Sequence, residues 1–261
     1  TSVSDVTNSF NASVTGSTGK VNGADGVNVN AESNTVMVAV AAGSSVSVSS
    51  GGLVTVDVAG SVVANTINND TIAKVENSTI AASKLTVDAT TSSTLVSVAG
   101  QLSTAVTSNY GGVAGLTWAQ NSFDNTTGAY VRGISLNGYN NGSTALNVNA
   151  YNNSDMYTIG AGVNVAIANG ALAGAYAANY GNNNTEAVVE KYTGKDANDN
   201  DITINNTIAN TSNIVVKAED DSDVVTVAGS LAMAVSTSSA AATVGGAVAN
   251  TNIGASDNKQ S

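Results

Sequence analysis

The stretch Ile214-Val215-Val216-Lys217-Ala218-Glu219-Asp220-Asp221-Ser222-Asp223-Val224-Val225-Thr226-Val227-Ala228-Gly229 decides how the chain is read. Ile214, Val216 and Ala218 alternate with Val215 and Lys217, which places one apolar set on one face of a strand. The run from Glu219 to Asp223 is polar and reads as a corner at the surface. Val225 and Val227 resume the alternation, and Gly229 closes the unit. Two short strands about an acidic corner are expected.

The chain repeats this unit. Val27-Asn28-Val29-Asn30-Ala31, Leu85-Thr86-Val87-Asp88-Ala89 and Leu146-Asn147-Val148-Asn149-Ala150 carry the same inward set as Ile214 to Ala218. From Ala31 to Ala89, Ala150 and Ala218 the steps are 58, 61 and 68 residues. Each copy is followed by a polar run: Glu32 to Thr35, Thr90 to Ser93, Asn152 to Asp155, and Glu219 to Asp223. A second apolar segment then ends near Gly43, Gly100, Gly160 and Gly229. Next comes an element rich in small residues that ends in Asn65, Asn121, Asn179 or Asn250. Asn is expected there at a corner, because it tolerates left-handed backbone and bonds to nearby main chain. Ala73-Lys74-Val75, Ala129-Tyr130-Val131 and Ala187-Val188-Val189 follow at a constant distance from that Asn, and Ala12-Ser13-Val14 matches them.

Four elements in one order, four times, point to a solenoid. With strands of about 4–5 residues, a step near 58 divides into about three coils. The expected fold is all-β: a parallel (right-handed) β-helix solenoid of about four ~58-residue units of about three coils each. It forms a single repetitive domain over 1–261, with units of about 8–65, 66–121, 122–179 and 180–250. An antiparallel sandwich suits the alternation equally, but its Asn-Gly and Asp-Gly hairpin signals are scarce.

Composition limits the function. Charged residues make up 10% of the chain, against about 25% in ordinary domains. There is no Pro, which fits ladders that need every N–H as a donor, and the β-branched residues exclude disorder. A net charge of −11 with one Arg argues against nucleic acid and anionic membranes as partners. Absence of His and Cys excludes Ser-His-Asp and Cys-His catalysis and imidazole or thiolate metal centres. The uncharged run from Val224 to Ser256 holds too much Ser, Thr, Gly and Asn for a membrane helix. No leader precedes Thr1, so any signal peptide has been removed or the chain is an internal piece.

A polar insertion at 191–201 interrupts the period and should project as a binding loop. Its candidate residues are Tyr192, Asp196, Asp199 and Asp201; Tyr139, in the Gly- and Asn-rich 133–143 stretch, is a lesser one. Asp196 to Asp201 looks like the start of a calcium loop, but Asp201 stands where Gly is needed and no Glu follows at the twelfth position. Glu219 to Asp223 reads as a solvated corner. Trp118 is expected in the core or in a stack between coils. No cofactor and no metal are expected.

The order Ala-Gly…Ala-x-Asn, Thr-x-Ala-x-Val (Thr71 to Val75, Thr127 to Val131, Thr185 to Val189), apolar-x-Val-x-Ala, polar run, Val-x-Val-Ala-Gly resembles the repeats of filamentous haemagglutinin-type and leukotoxin-like filamentous adhesins. The resemblance implies a right-handed parallel β-helix fibre, exported to the bacterial cell surface. It implies service in adhesion or as a stalk, with a host or neighbouring cell surface or other copies as partners. The family's secretion domain carries an Asn-Pro motif, and this chain has no Pro. The expected function is a non-catalytic extracellular fibre segment. The alternative is a homopolymer subunit that assembles end to end, and a polysaccharide-active β-helix enzyme using two carboxylates ranks below both.

Overall fold

Inward and outward residues alternate without a break for more than twenty positions at a time, so the strands are far longer than five residues. A computed structural model describes residues 1–17, 20–50, 54–107, 110–196, 198–236 and 240–260. The strands are β1 (Ser2–Thr15), β2 (Lys20–Gly23), β3 (Val27–Ser49), β4 (Thr55–Glu76), β5 (Thr79–Ala82), β6 (Leu85–Thr107), β7 (Gly111–Arg132) and β8 (Ser135–Asn137). They continue as β9 (Thr144–Ile167), β10 (Gly170–Glu190), β11 (Tyr192–Lys195), β12 (Asp201–Ile204), β13 (Thr207–Ile208), β14 (Thr211–Asp220), β15 (Val224–Ala234) and β16 (Ala242–Gln260).

A first long parallel sheet has the order β1-β4-β7-β10-β16. A second holds β3, β6 and β9, with β14 and β15 both paired to β9. A short parallel sheet, β2-β5-β8-β13, closes one narrow side. The chain is a flattened parallel β-helix. One turn runs from a short strand, out along the second sheet and back along the first.

One turn therefore takes the whole unit of about 58 residues, and the expected three coils per unit are corrected to one. Leu85 pairs directly with Leu146, and Leu146 with Ile214; Val87, Val148 and Val216 follow, then Ala89, Ala150 and Ala218. Asn65, Asn121 and Asn179 are register partners, as are Ala12, Ala73, Ala129 and Ala187. These matched residues are neighbours on adjacent strands, ~4.8 Å apart, whereas of the four Gly residues that end the second segment Gly43 and Gly160 lie one position out of the column of Gly100 and Gly229. The fourth Asn is displaced: Thr251 takes the column of Asn179, while Asn250 pairs with Ala178 and donates to the Tyr180 hydroxyl.

The polar runs are not corners in the first three copies. β3, β6 and β9 pass straight through them, and Ser33, Thr91, Ser93, Asn152 and Ser154 are buried. Only in the last coil does the ladder break, between β14 and β15. The physical reason lies in the facing sheet, which supplies complementary amides. Asn69 donates to Ser93 (2.8 Å), Asn125 to Ser154 (2.9 Å), Asn183 to Ser222 (3.1 Å), and Thr127 to Thr91 (2.7 Å).

A second ladder climbs the axis by alternating between the sheets. Asn65 donates to Ser97 (2.9 Å), Ser97 to Asn121, Asn121 to Thr158 (2.8 Å), Thr158 to Asn179, and Asn179 to Thr226 (2.8 Å). Thr226 and Thr251 share the last bond. These Asn residues sit in mid-strand and not at corners. The corners use Gly16, Asn77 and Gly133, all left-handed, where each long strand of the first sheet turns toward the short sheet.

Apolar columns lie between the ladders. Leu85, Val87, Ile80, Val75, Val131 and Leu146 fill the end beside the short sheet. Ile67, Leu95, Phe123 and Met156 fill the middle. Small side chains, among them Ala99, Ala119, Ala105 and Ala166, fill the far half.

Asn121 is fully buried, and its amide also reaches the Tyr157 carbonyl at 3.0 Å. Asn121→Ala strands Ser97 and Thr158 in a dry interior. It should cost about 2–4 kcal/mol, against less than about 0.5 for exposed Asn182→Ala, as measured by urea unfolding.

Candidate functional site

The insertion is more ordered than a loop. β11 and β12 form an antiparallel hairpin, with Tyr192 opposite Ile204 and Lys195 opposite Asp201. The excursion extends to Ile204, beyond the expected end at residue 201. It brings Tyr192, Asp196, Asp199 and Asp201 onto one hairpin. Ala197, within the calcium-like motif, lies outside the described residues. Tyr139 stands apart, in a one-turn 3-10 helix (Tyr139–Asn141) that packs against β5.

The hairpin bonds two of its own acidic groups, Asp196 and Asp201. Asp196 accepts from the backbone N–H of Asn198 (2.8 Å), the backbone N–H of Asn200 (2.9 Å) and the Asn200 amide (3.1 Å). These donors, Asn200 foremost, hold its carboxyl below the usual Asp range. Asp199 is left-handed (φ 64°), and its carbonyl accepts from Lys195 Nζ at 3.1 Å. Lys195 also pairs with Asp201 at 2.9 Å. Asp-x-Asn-Asp-Asn-Asp is thus a turn that caps its own N–H groups. Among the described residues, no group of three or more Asp, Glu, His or Cys side chains is placed to hold a metal ion.

Gly133 explains where the hairpin docks. A Cβ built there would lie 2.4 Å from Tyr192 Cβ and 3.0 Å from the Ile204 carbonyl oxygen, and φ is +59°. Only Gly allows both the corner and the close approach. The docked hairpin borders two grooves. One, of about 470 Å³, is lined by backbone and polar groups that include Asn77, Ser78, Ser135 and Thr207. The other, of about 300 Å³, lies between Glu76, Arg132, Glu190 and Tyr192.

Arg132 dominates the smaller groove. Glu76, Arg132 and Glu190 occupy one column on three successive strands. Arg132 Nη1 donates to Glu76 at 3.1 Å and Nε to Glu190 at 2.7 Å. Its guanidinium also lies over the Tyr130 ring, 4.3 Å from the centroid. Burial works against its charge, but the bonds to Glu190 and Glu76 outweigh burial and raise its pKa further. Tyr130 is pushed well above the ordinary phenol range by burial, then by Glu186, whose carboxylate accepts its hydroxyl at 3.0 Å. The only Arg is thus committed to two carboxylates. The larger groove presents the polar side chains of Asn77, Ser78, Ser135 and Thr207.

Trp118 is not in the core. Even-numbered residues of β7 point outward, and Trp118 is 47% exposed. It meets Tyr176 of the next coil, with ring centroids 4.6 Å apart. Leu116, Val62, Gly174 and Val248 complete an apolar groove of about 510 Å³ on the first long sheet. The only sequence signal for it was strand parity: Asn121 inward makes Trp118 outward. The uncharged run from Val224 to Ser256 contains β15 and β16. Among the described residues, no helix is long and apolar enough to cross a membrane.

No family model matches the chain, and no curated protein or solved structure matches it.

The depressed Asp196 carboxyl stabilises the hairpin turn above the unfolded Asp value near pH 4. That contribution is lost as pH falls through the lower folded value. Protection of the Asn198 and Asn200 amides, relative to their intrinsic exchange rates, should fall on acidification below about pH 4, and at neutral pH in Asp196→Ala. The solenoid ladders should stay protected in both cases. Equal protection of the two amides in wild type and variant would contradict the capping role.

Proposed function

We propose that the chain is a non-catalytic segment of an extracellular bacterial surface fibre, acting in adhesion. The observation that carries this reading is the coil itself. About 58 residues are spent on a single turn, which advances the axis by only ~4.8 Å. The long strands, of 21 to 24 residues in the full coils, make each turn about 70 Å wide. Such a coil is a poor stalk and a generous surface, so attachment is favoured over extension. The resemblance of the repeats to filamentous adhesins supports the same reading, and the acidic, Cys-free composition is compatible with it.

The second reading is a subunit that stacks end to end. It is favoured by the outermost coils, whose inward side chains remain half exposed, among them Val6 and Val14 at one end and Val216 and Ala218 at the other. Strand edges of that kind template further pairing. A polysaccharide-active enzyme would need two free carboxylates at a set separation. Glu76 and Glu190 are instead tied to Arg132.

Mass spectrometry of the native polypeptide extracted from the cell surface separates the first two readings. A fibre segment is expected in a polypeptide many times heavier than 25.7 kDa. A native mass near that value would contradict the segment and leave the subunit.

A further inference from the structure

The outer surface divides sharply across the width of the solenoid. Beside the short sheet, outward positions of the second sheet are polar or charged, as in Asn30, Glu32, Asp88, Asn149, Lys217 and Glu219. Farther out the pattern inverts. No charged residue occurs between Asp88 and Asp124, between Asp155 and Glu186, or from Val224 to Ser256. Between Glu32 and Asp70 the only one is Asp57, which is buried. Beyond the central column of Met37, Leu95 and Met156, the second sheet points Ala, Ser and Gly in and most of its Val, Leu, Ile and Met out, while Val63 and Val113 of the first sheet point in.

On the second sheet these outward residues form ridges along the axis. Val40, Val98, Ile159 and Val227 are successive register partners, and a parallel ridge contains Leu102 and Leu231. Val40 is 65% exposed and Leu231 51%. Between the ridges runs a groove of Ala42, Gly100, Ala161 and Gly229. A Cβ on Gly100 or Gly229 would meet nothing within 4 Å, and neither has a positive φ. Gly weakens a strand unless another backbone approaches closely. Nothing within one chain asks for Gly at either position.

We propose that this face is the contact between two copies of the chain, packed sheet on sheet about a two-fold axis with the ridges of each beside the groove of the other. The outward band from Val38 to Val48 begins one pair beyond the last charged column, which holds Asp155; it is about 33 Å long and spans four strands, so it covers about 630 Å². That is slightly above the 300–600 Å² or so of the largest apolar patch on an ordinary monomer and falls at the lower end of the roughly 600–1,000 Å² per partner of a stable complex. Two sheets pack at ~10 Å when such ridges interdigitate. The absence of charge removes repulsion between two copies of an acidic chain. Lipid is a poorer occupant, because β3 ends the sheet with backbone groups that a bilayer would leave unpaired. The contact is lateral, so it is distinct from end-to-end stacking and does not depend on where the protein resides.

Sedimentation equilibrium of the full chain at micromolar concentration tests this pairing. Wild type should be dimeric. Gly100→Thr with Gly229→Thr fills open space on each chain and improves strand propensity, so thermal stability should hold or rise. The same change blocks the groove and should weaken association by about tenfold or more. Trp118 lies on the other long sheet, so its emission should be the same in monomer and dimer. A monomeric wild type would overturn the proposal. Undiminished association of the variant would overturn it in favour of edge stacking, and a Trp118 shift on association in favour of the opposite face. A monomer that co-floats with phosphatidylcholine vesicles would overturn it in favour of lipid. If the Gly variant misfolds, Val40→Thr with Val227→Thr, isosteric and β-branched, is read by the same criteria.

Discussion

Buried amides and hydroxyls that bond across the interior hold this fold in register. A flattened solenoid of ~70 Å-wide coils has a long, narrow interior between its two sheets. The chain alternates apolar columns with ladders of Asn, Ser and Thr. Many ladder residues bond across to the opposite sheet, as Asn121 does to Thr158 and Asn125 to Ser154, while the buried Ser33, Thr71 and Thr185 hydroxyls do not. A slip of one residue would turn every ladder side chain outward and bury the alternate set. The ladders therefore specify which residues lie over which, while the columns of Leu, Ile, Val, Met and Phe supply the burial.

The register was readable from sequence because a parallel solenoid places equivalent residues side by side. Aligning Leu85 with Leu146 and Ile214 is the same operation as pairing their strands. The length of the coil was not readable. A run such as Thr90-Thr91-Ser92-Ser93 looks like surface because hydroxyls usually meet water. Here Thr91 and Ser93 meet Thr127 and Asn69, at least 24 residues away in the chain. Nothing local announces that partner. The direction of Val and Ala in the far half was equally hidden, since both alternations are apolar. Most of the larger residues went outward, and the interior there is filled by Ala with Val63 and Val113.

The candidate site was legible in place. The break in period located the insertion, and Tyr192, Asp196, Asp199 and Asp201 do share one projecting element. Within it, the Asp196 carboxylate accepts from the turn's own N–H groups and the Asp201 carboxylate pairs with Lys195. The surface with the clearest unmet demand is the uncharged outer half. It gave no motif to find, only a strand parity that became visible once the Asn ladder was placed inside.

The central claim is that one unit of about 58 residues makes one turn. Cysteine pairing tests it directly in a chain that has no Cys of its own. Thr66 and Ser122 are outward register partners on β4 and β7, so Thr66→Cys with Ser122→Cys should close an intramolecular disulfide on mild oxidation. A one-turn unit puts their Cα atoms ~4.8 Å apart, within disulfide reach. Thr66→Cys with Tyr180→Cys, two strands apart, should not close. A unit of three coils would separate the first pair by about 14 Å. Failure of Thr66→Cys/Ser122→Cys to cross-link, with the fold intact, would contradict the one-turn coil.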